Sequence, residues 1–548
     1  MRDFIYKKYK ELKKNSLNSI VYFEGKERIE KTFASFSVDI DKHIKILKSI
    51  ENSNGKINRI GILGATSYKW VVFDHACIKG GYKSAGLPES LGVEVIDKII
   101  KDLKIDILLL DFSLKEVYGT IETTQIYYFN CTESIHNDVE LIDYHDQIIS
   151  EDNLIQEDYS IVFSSGTSQH IKYIKRTFHE IKEDKKSLLE KCKIYWSYRG
   201  SIWYIIKKTK NNKLIIFLPL SHPMQRWFIQ IAINNKIDIV LSEPKNCIKH
   251  IMMEKPNIMV SIPPIYDAMA SLIEARIKRY DKKQQKLFMI FNEYNFNQLK
   301  DGNPIKQFFT KQLFQKVKKI YGGRADLFIT GSAPTKRKTL ETFEKVGVRL
   351  YEAYSQSELS TIIMNSPRHY RLGSVGKPQK NLAVKIGDEN EVLIKYNEDY
   401  DTINKEVLNI KEDYIHTGDT GYLDKQGFLY ITGRLDDVIV LERGKKIHPD
   451  AIQNKLSALL DNARVLVYSS NKESIACLIF SKALTKTQAQ SQISYLNKSL
   501  ASYEQIKNFR IIKEEPSVEN GLLTATLKLK RKTVIEKYIK LEEPLIKV

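Results

Sequence analysis

The sequence is poor in cysteine, and its few cysteines are far apart. Five are present, Cys77, Cys131, Cys192, Cys247 and Cys477, and no two of them form a CxxC pair. This spacing indicates neither a zinc site nor a disulfide framework. An odd number of isolated thiols is typical of a reducing compartment, so we expect a cytoplasmic protein.

Long apolar runs and a signal-like start are also missing. No uninterrupted apolar stretch approaches the roughly 18 residues that a membrane-spanning helix needs. Residues 1–10 contain three lysines and an arginine and lack the apolar core of a signal peptide. We therefore expect at most peripheral contact with a membrane.

Acidic residues are fewer than basic ones, 67 against 86, which leaves a formal net charge of +19. Such an excess suits nucleic acids, anionic membrane surfaces or polyanionic small substrates. The basic residues are spread along the whole chain and interleaved with acids. We therefore expect no nucleic-acid-binding surface.

The pattern of apolar residues predicts an α/β protein of more than one domain. A chain of 548 residues, 42% hydrophobic, is too long for one ordinary domain and rich enough in apolar residues for a large core. Helical spacing at 92–103 and 335–345 alternates with short apolar runs, which indicates much parallel sheet. The predicted buried strands are 60–63, 107–111, 161–164, 214–218, 258–262 and 325–329.

The sequence pattern changes from residue 382. Short strands predicted at 384–386, 392–394 and 428–431 indicate a β-rich subdomain. A small α+β segment follows, with a helix at 450–459. We predict a large N-terminal domain of layered α/β subdomains with this β-rich subdomain, residues 1–434, and a small mobile α+β C-terminal domain, residues 435–548.

The first chemical motif follows the predicted strand at 161–164. Its small and hydroxyl residues are Ser164, Ser165, Gly166, Thr167 and Ser168, and Lys172 lies downstream. Hydroxyls, free backbone N–H groups and a lysine suit phosphate oxygens, and glycine permits a close approach. An ordinary serine–glycine turn is an equally good interpretation of this segment alone, and the GxxxxGK[ST] pattern is absent.

Three further motifs follow in order. Gly331, Ser332 and Ala333 form a small-residue turn after a strand. In the segment 351–358, Tyr354 could stack on a purine, Ser357 could bind phosphate and Glu358 could bind Mg²⁺. At 417–419 and 433–437, Asp419 is suited to accept both hydroxyls of a ribose. Taken singly, each of these segments could be a polar turn.

Together, the motifs resemble the adenylate-forming superfamily, and most of all its long-chain fatty acyl-CoA synthetases. The segment 163–172 is similar to the family's YTSGTTGxPK loop and 353–358 to its GYGxTE motif, while TGD is intact at 417–419 and GRxDD at 433–437. Residues 520–531 are similar to ENGLLTPTxKxKR. The resemblance covers residues 58–538, almost the whole chain.

The resemblance implies a set of site residues. It assigns the ATP phosphates to Ser164, Ser165, Gly166, Thr167, Ser168 and Lys172; nucleotide contacts to Gly331, Ser332, Ala333, Tyr354 and Ser357; Mg²⁺ to Glu358 and Thr167; and ribose to Asp419 and Arg434. The resemblance also implies that Lys528 is a mobile catalytic lysine and that Glu358 and Lys172 are further catalytic groups. It implies that Asp436 is the hinge. An acyl site is expected between 218–228 and 322–334, with His222, Trp227 and Gly331.

The implied activity is a ligase that converts a carboxylic acid, of medium or long chain, to acyl-AMP with ATP and Mg²⁺ and passes the acyl group to coenzyme A. An alternative is transfer to the phosphopantetheine of an acyl carrier protein. Gln169, Ile171 and Tyr173 depart from the loop pattern by replacing glycine, proline and glycine. A degenerate relative that binds acyl groups or nucleotides without turnover therefore stays open.

Overall fold

The computed structural model describes most of the chain. The described residues are 2–130, 158–164, 172–177, 211–279, 282, 317–356, 363–367, 369–378, 382–395, 408–442, 444–460, 463–469, 472–517, 520–524, 527–539 and 545–548. The chain divides into two compact units. The first comprises Met1–Val260, Gln315–Phe328 and Thr402–Val407, and the second comprises Ser261–Phe314, Ile329–Asp401 and Leu408–Val548.

The α-helices occur in both units. They are α1 (Arg2–Lys13), α2 (Phe33–Asn54), α3 (Tyr68–Gly80), α4 (Val93–Leu103), α5 (Lys115–Tyr118), α6 (Pro223–Asn234), α7 (Cys247–Glu254), α8 (Pro263–Lys278), α9 (Arg337–Lys345), α10 (Pro449–Leu459), α11 (Lys486–Asn497) and α12 (Arg531–Ile539). Short 3₁₀ helices cover Phe112–Leu114, Lys319–Tyr321, Asp388–Asn390 and Ser502–Glu504.

The strands are similarly distributed. They are β1 (Ser19–Glu24), β2 (Glu27–Thr32), β3 (Arg59–Leu63), β4 (Lys83–Leu87), β5 (Ile107–Asp111), β6 (Gln125–Phe129), β7 (Asp158–Ser164), β8 (Lys172–Thr177), β9 (Lys213–Ile216), β10 (Asp238–Leu241), β11 (Ile258–Ser261), β12 (Leu327–Thr330), β13 (Leu350–Tyr354), β14 (Ile363–Met364), β15 (Val384–Ile386), β16 (Glu391–Lys395), β17 (Ile410–Lys411), β18 (Tyr414–Leu423), β19 (Leu429–Arg434), β20 (Ile439–Val440), β21 (Lys446–Ile447), β22 (Arg464–Tyr468), β23 (Ile475–Phe480), β24 (Ile506–Ile512) and β25 (Ile546–Lys547).

Two mainly parallel sheets form the first unit. One has the order β6-β5-β3-β4-β7-β8, in which only the β7–β8 pair is antiparallel. In the other, β11, β9, β10 and β1 are parallel neighbours and β2 is antiparallel at the edge. Parallel strands need crossover connections, which the intervening helices provide.

Helix α4 shows how the apolar spacing produces this packing. Ile96, Ile99, Ile100 and Leu103 recur every three or four residues and are all buried. They therefore form one stripe, which packs on the sheet in a cluster that includes Leu108 of β5. The helix ends where Lys104 adopts a left-handed conformation.

The second unit is built from several smaller sheets. A five-stranded sheet has the order β15-β16-β18-β17, with β19 also paired to β18. Near the C-terminus, β22-β23-β24-β25 form a four-stranded sheet. A separate apolar core covers this sheet, and its buried members run from Leu441 to Phe509. Antiparallel hairpins dominate here, as the short strands after residue 382 predict.

The structure confirms the predicted α/β fold class. Predicted strands at 107–111 and 384–386 and the helix at 92–103 agree with the observed elements to within one residue. The strand predicted at 214–218 is shorter, because pairing ends at Ile216 while the apolar side chains of Phe217 and Leu218 continue into the core. The predicted boundary between residues 434 and 435 falls inside the second unit and stays a prediction.

In the part of the chain that the structure describes, no helix combines the length and the apolar character needed to cross a bilayer.

Candidate active site

The β18–β19 hairpin brings two predicted site residues together. Its register places Asp419 opposite Arg434, followed by an irregularity between Thr420 and Gly421. A side chain at Gly421 would place its Cβ 2.3 Å from the Tyr430 carbonyl oxygen, so only glycine fits this close approach. The bulge therefore depends on Gly421 and sets the position of the Asp419–Arg434 pair.

The carboxylate of Asp419 is the centre of the site. Its Oδ2 accepts hydrogen bonds from the Tyr354 hydroxyl at 2.7 Å and from Gln356 Nε2 at 2.6 Å. Its Oδ1 accepts one from Arg434 Nη1 at 3.0 Å. The side chain is buried, and the backbone N–H of Asp419 donates to Thr417 Oγ1 at 3.1 Å. These bonds hold the carboxylate in one orientation.

The charges around this carboxylate are balanced. Burial, reinforced by the neighbouring Asp419, raises the pKa of Tyr354 well above its ordinary value, so its hydroxyl stays a donor. Burial would lower the pKa of Arg434, but the attraction of Asp419 outweighs it and the pKa is raised. The site therefore holds one fixed cation and one fixed anion.

The Gly331 turn lies against the same region. The Gly331 N–H donates to the Ser261 carbonyl at 3.2 Å, and Ser332 has a left-handed backbone with φ 69°. A Cβ at Gly331 would lie 3.1 Å from the carbonyl oxygen of Ala353. The absence of a side chain lets this turn approach β13 one residue before Tyr354.

A buried carboxyl group fastens the base of β13. Oε2 of Glu352 accepts the Gly373 N–H at 3.0 Å, and the backbone of Thr335 bonds to the same carboxyl group. Burial raises the pKa of Glu352 to about 8. The two backbone hydrogen bonds lower this pKa, but their effect is smaller than that of burial. Glu352 therefore joins the segments that follow the Gly331 turn and precede Ser374.

Lys528 occupies a tight loop in the second unit. Leu523 and Leu529 form a β-bridge, and Thr524 N–H donates to the Lys528 carbonyl at 2.8 Å. The Lys528 side chain is exposed to solvent. Nearby protein atoms still remove water from its ammonium, and this desolvation lowers the pKa of Lys528. Asp419 opposes that shift and Arg434 adds to it, so Lys528 lies within electrostatic reach of both.

The predicted hinge residue, Asp436, is exposed directly after β19. One of its carboxylate oxygens lies 3.9 Å from Arg434 Nη2, a weak ion pair at the surface. Its neighbour Asp437 lies 3.9 Å from Arg531 Nε. Both ion pairs are long, while the backbone N–H of Leu435 donates to the Gly418 carbonyl at 2.8 Å.

The phosphate motif is only partly described. Ser164 ends β7 and Lys172 begins β8, and the antiparallel register places their backbones opposite each other. Ser165, Gly166, Thr167, Ser168, Ser357 and Glu358 lie outside the described residues, and so does the predicted metal site.

The predicted acyl residues of the first unit lie on or beside α6. His222 caps the helix, since its Nδ1 accepts the Met224 N–H at 3.3 Å. Trp227 is half-buried and meets Phe228 edge to face, with ring centroids 5.0 Å apart. Arg226 anchors the helix through a buried ion pair with Asp74. Helix α6 is therefore a fixed support for His222 and Trp227.

Two residues of the site were not predicted from the sequence. Gln356 binds Asp419 and also donates to the Thr417 carbonyl at 2.7 Å. Glu391 accepts the Gly418 N–H at 2.9 Å and contacts His416 Nδ1 at 2.7 Å. Gln356 lies within a recognised motif and could have been singled out. Glu391 has no local signature, because its partners are 25 to 27 residues away.

Among the residues that the structure describes, no group of three histidine, cysteine or acidic side chains is arranged to hold a metal ion.

Solved structures share the fold of this chain. O-succinylbenzoate coenzyme A synthetase from Bacillus subtilis, in complex with its acyl-adenylate intermediate, has a TM-score of 0.69 and 19% identity, with 99% of each chain covered. The adenylation domain of the carboxylate reductase from Mycobacterium chelonae has a TM-score of 0.74 and 14% identity, covering 98% of this chain and 90% of that one. The fold is therefore that of adenylate-forming enzymes.

The sequence matches the AMP-binding enzyme family over residues 12–398, so the chain belongs to that family. Long-chain-fatty-acid–CoA ligase FadD15 of Mycobacterium bovis is 23% identical over 531 residues, covering 88% of this chain and 86% of that protein. Long-chain-fatty-acid–CoA ligase 5 of Rattus norvegicus is 25% identical over 542 residues, covering 86% and 78%.

Proposed function

We propose that this chain activates a medium- or long-chain fatty acid with ATP and transfers the acyl group from acyl-AMP to coenzyme A. The observation that carries the proposal is the Asp419 cluster. A buried carboxylate held by Tyr354, Gln356 and Arg434, with Lys528 within electrostatic reach, suits a nucleotide and its reacting phosphate. The matched fatty acid–CoA ligases support the choice of acid.

In the first half-reaction, a carboxylate oxygen attacks the α-phosphorus of ATP, and pyrophosphate leaves with the electrons of the broken bond. Two anions must meet, so a cation near the α-phosphate lowers the barrier. Lys528 supplies that cation in our proposal. Asp419 and Arg434 hold the ribose, and Tyr354 lies against the adenine together with the Gly331, Ser332 and Ala333 turn.

The other phosphates are assigned to the hairpin between β7 and β8. Ser164, Ser165, Gly166, Thr167, Ser168 and Lys172 form this proposed loop, with Ser357 as a further phosphate contact. Glu358 and Thr167 would hold Mg²⁺, which neutralises phosphate charge when bound. Nucleotide-bound Mg²⁺ keeps water and phosphate ligands, so two protein ligands suffice.

In the second half-reaction, the sulfur of a thiolate attacks the acyl carbon, and AMP leaves with its phosphate oxygen. We propose that residues 435–548 form a domain that turns about Asp436, withdraws Lys528 and opens a path for the thiol. His222 and Trp227 on α6 and Gly331 would line the acyl site. The acceptor is either coenzyme A or the phosphopantetheine of an acyl carrier protein.

The excess of positive charge suits both acceptors, since coenzyme A and acyl carrier proteins are acidic. We propose a cytoplasmic enzyme with at most peripheral membrane contact and no nucleic-acid partner. A salt-dependent shift of duplex DNA in a gel would contradict the last point.

A panel of acids tests the function. Purified protein is mixed with ATP, Mg²⁺ and acids from acetate to palmitate. Pyrophosphate is measured without an acceptor, with coenzyme A, and with an acyl carrier protein whose phosphopantetheine thiol is free. We expect release with long acids and acyl-CoA as the product. The inactive control is Glu358→Gln, which should abolish pyrophosphate exchange and keep the fold.

The outcomes separate the alternatives. An acylated carrier without acyl-CoA would favour the carrier-protein reaction. ATP binding without pyrophosphate release from any acid would favour a degenerate binding protein and contradict the proposal.

A further inference from the structure

The peptide group that precedes Lys528 is held at both ends. Arg464 Nη1 donates to the carbonyl oxygen of Leu527 at 3.0 Å. The N–H of the same peptide, which belongs to Lys528, donates to Thr524 Oγ1 at 3.1 Å. A peptide group is planar, so holding its oxygen and its N–H fixes its plane and the direction in which the Lys528 side chain starts.

This loop needs such support because its backbone is unfavourable by itself. Leu527 has φ 58°, a left-handed conformation that costs a non-glycine residue about 1–2 kcal/mol. The turn is closed by Leu527 N–H to Thr524 carbonyl at 2.8 Å. The contact from Arg464 therefore favours one of the arrangements open to the loop.

Arg464 itself is fixed on a strand of the C-terminal sheet. It begins β22, where it pairs with Phe480 of β23. Burial lowers the pKa of Arg464, and the charge of Asp267 opposes that shift. Asp267 lies on α8, where it forms an ion pair of 3.2 Å with Lys336 and accepts a hydrogen bond from Thr339.

Arg464 and Leu527 both follow Asp436 in the chain. In our proposal they belong to the segment that turns about Asp436, so their hydrogen bond is kept during the turn. It fixes how the Lys528 side chain is presented when the segment brings it near Asp419.

We propose that Arg464 is a positioning residue that holds the backbone of the Lys528 loop in the conformation that adenylation uses. The inference rests on the proposed function and adds one residue to it. Arg464 acts through Lys528 and touches no substrate. Its loss should slow the half-reaction that uses Lys528 and spare the one that does not.

The first experiment does not depend on the catalytic activity of the protein. Hydrogen exchange of a peptide spanning 522–530 is compared in the wild type, Arg464→Ala and Arg337→Ala. Arg337 is a matched control, because its side chain is 80% exposed and contacts Glu341 on its own helix. We expect exchange to be about threefold faster or more in Arg464→Ala alone, since a lost tether increases local opening. Unchanged exchange would overturn the proposal, whatever the protein catalyses.

The second experiment separates the two half-reactions. Formation of palmitoyl-AMP and thiolysis of supplied palmitoyl-AMP are measured in the same variants. We expect Arg464→Ala to slow adenylation about tenfold or more, in line with the effect of a misplaced catalytic group, and to change thiolysis less than about twofold. Arg464→Lys keeps the charge and should recover part of the rate.

Equal losses in both half-reactions would overturn the proposal and leave Arg464 with a purely structural role. If Arg464→Ala fails to fold, Arg464→Gln and Arg464→Lys decide the same comparison. A wild type that forms no acyl-AMP from any acid contradicts the proposed function, and the exchange experiment still decides the placement of the loop.

Discussion

Removal of the ammonium group of Lys528 should distinguish the two chemical steps most clearly. One cation placed where negative charge develops contributes about 3–4 kcal/mol to a transition state, comparable with one oxyanion-hole donor. We therefore expect Lys528→Ala to slow formation of acyl-AMP by about a hundredfold or more. Thiolysis of supplied acyl-AMP should persist, because in our proposal that step uses the arrangement in which Lys528 is withdrawn. Single-turnover measurements of both steps check this expectation.

Lys532 is the matched control for this substitution. It lies four residues further along the same basic run, at the start of α12, and is exposed. Lys532→Ala should leave both steps unchanged. Similar losses in both steps for Lys528→Ala, or no loss, would show that the two-arrangement assignment of Lys528 is wrong.

A second prediction at this scale concerns the stability contributed by Glu352. Its pKa is about 8 in the folded protein, above its ordinary value of 4.5. The folded state therefore holds a proton that the unfolded state has lost, and stability falls as the pH rises from 4.5 to 8. Glu352→Gln cannot ionise, so it should gain stability relative to wild type by a few kcal/mol between pH 5 and pH 9. Urea denaturation at several pH values measures this.

Glu536→Gln provides the reference for the change in net charge, because Glu536 is exposed on α12. This control should follow the wild type at every pH. A constant difference between Glu352→Gln and wild type across the range would mean that the Glu352 carboxyl is already ionised at neutral pH.

At the scale of secondary-structure elements, the β18–β19 hairpin depends on glycine at the bulge. In Gly421→Ala, the new methyl group would meet the Tyr430 carbonyl oxygen at 2.3 Å and Val392 at 3.0 Å. The strands must move apart, which we expect to cost about 3 kcal/mol or more and to shift Asp419 away from Arg434. Urea denaturation and the binding of a fluorescent ATP analogue should both weaken.

Gly427 offers a control in the turn of the same hairpin. Its φ is +79° and no atom lies within 4 Å of a Cβ built there, so Gly427→Ala introduces backbone strain without a clash. We expect it to cost about 1 kcal/mol and to leave nucleotide affinity unchanged. Equal effects of the two alanines on affinity would contradict the proposed role of the bulge.

Elements with a regular pattern could be predicted from the sequence, whereas their pairing could not. The helix at 92–103 follows from Ile96, Ile99 and Ile100 alone, since local spacing decides which face is buried. The motifs at 417–419 and 433–437 suggested Asp419 and Arg434, but the bulge that aligns them depends on a cross-strand clash. Arg464 carries no motif, and its partner Leu527 is 63 residues away.

At the scale of the whole molecule, the C-terminal segment 435–548 has an apolar core of its own. The cluster from Leu441 to Phe509 covers one face of the four-stranded sheet. A second cluster, from Leu466 to Tyr538, covers the other. All buried members of both clusters lie after residue 434, so this segment needs no apolar partner from elsewhere in the described chain. A segment of this length with a two-sided core has the size of an independent domain.

We therefore predict that residues 435–548, produced alone, fold cooperatively. Circular dichroism and tryptophan-independent probes such as tyrosine fluorescence should follow a single urea transition with the same midpoint. Ile493→Ala removes a fully buried side chain of α11 from the first cluster, and it should lower the stability of the isolated segment by about 2–5 kcal/mol. The exposed neighbour Gln490 provides the control, and Gln490→Ala should have little effect.

A broad transition with probe-dependent midpoints would contradict the domain boundary at residue 435. A cooperative transition would agree with our proposal that the segment bearing Lys528 turns as a rigid body about Asp436.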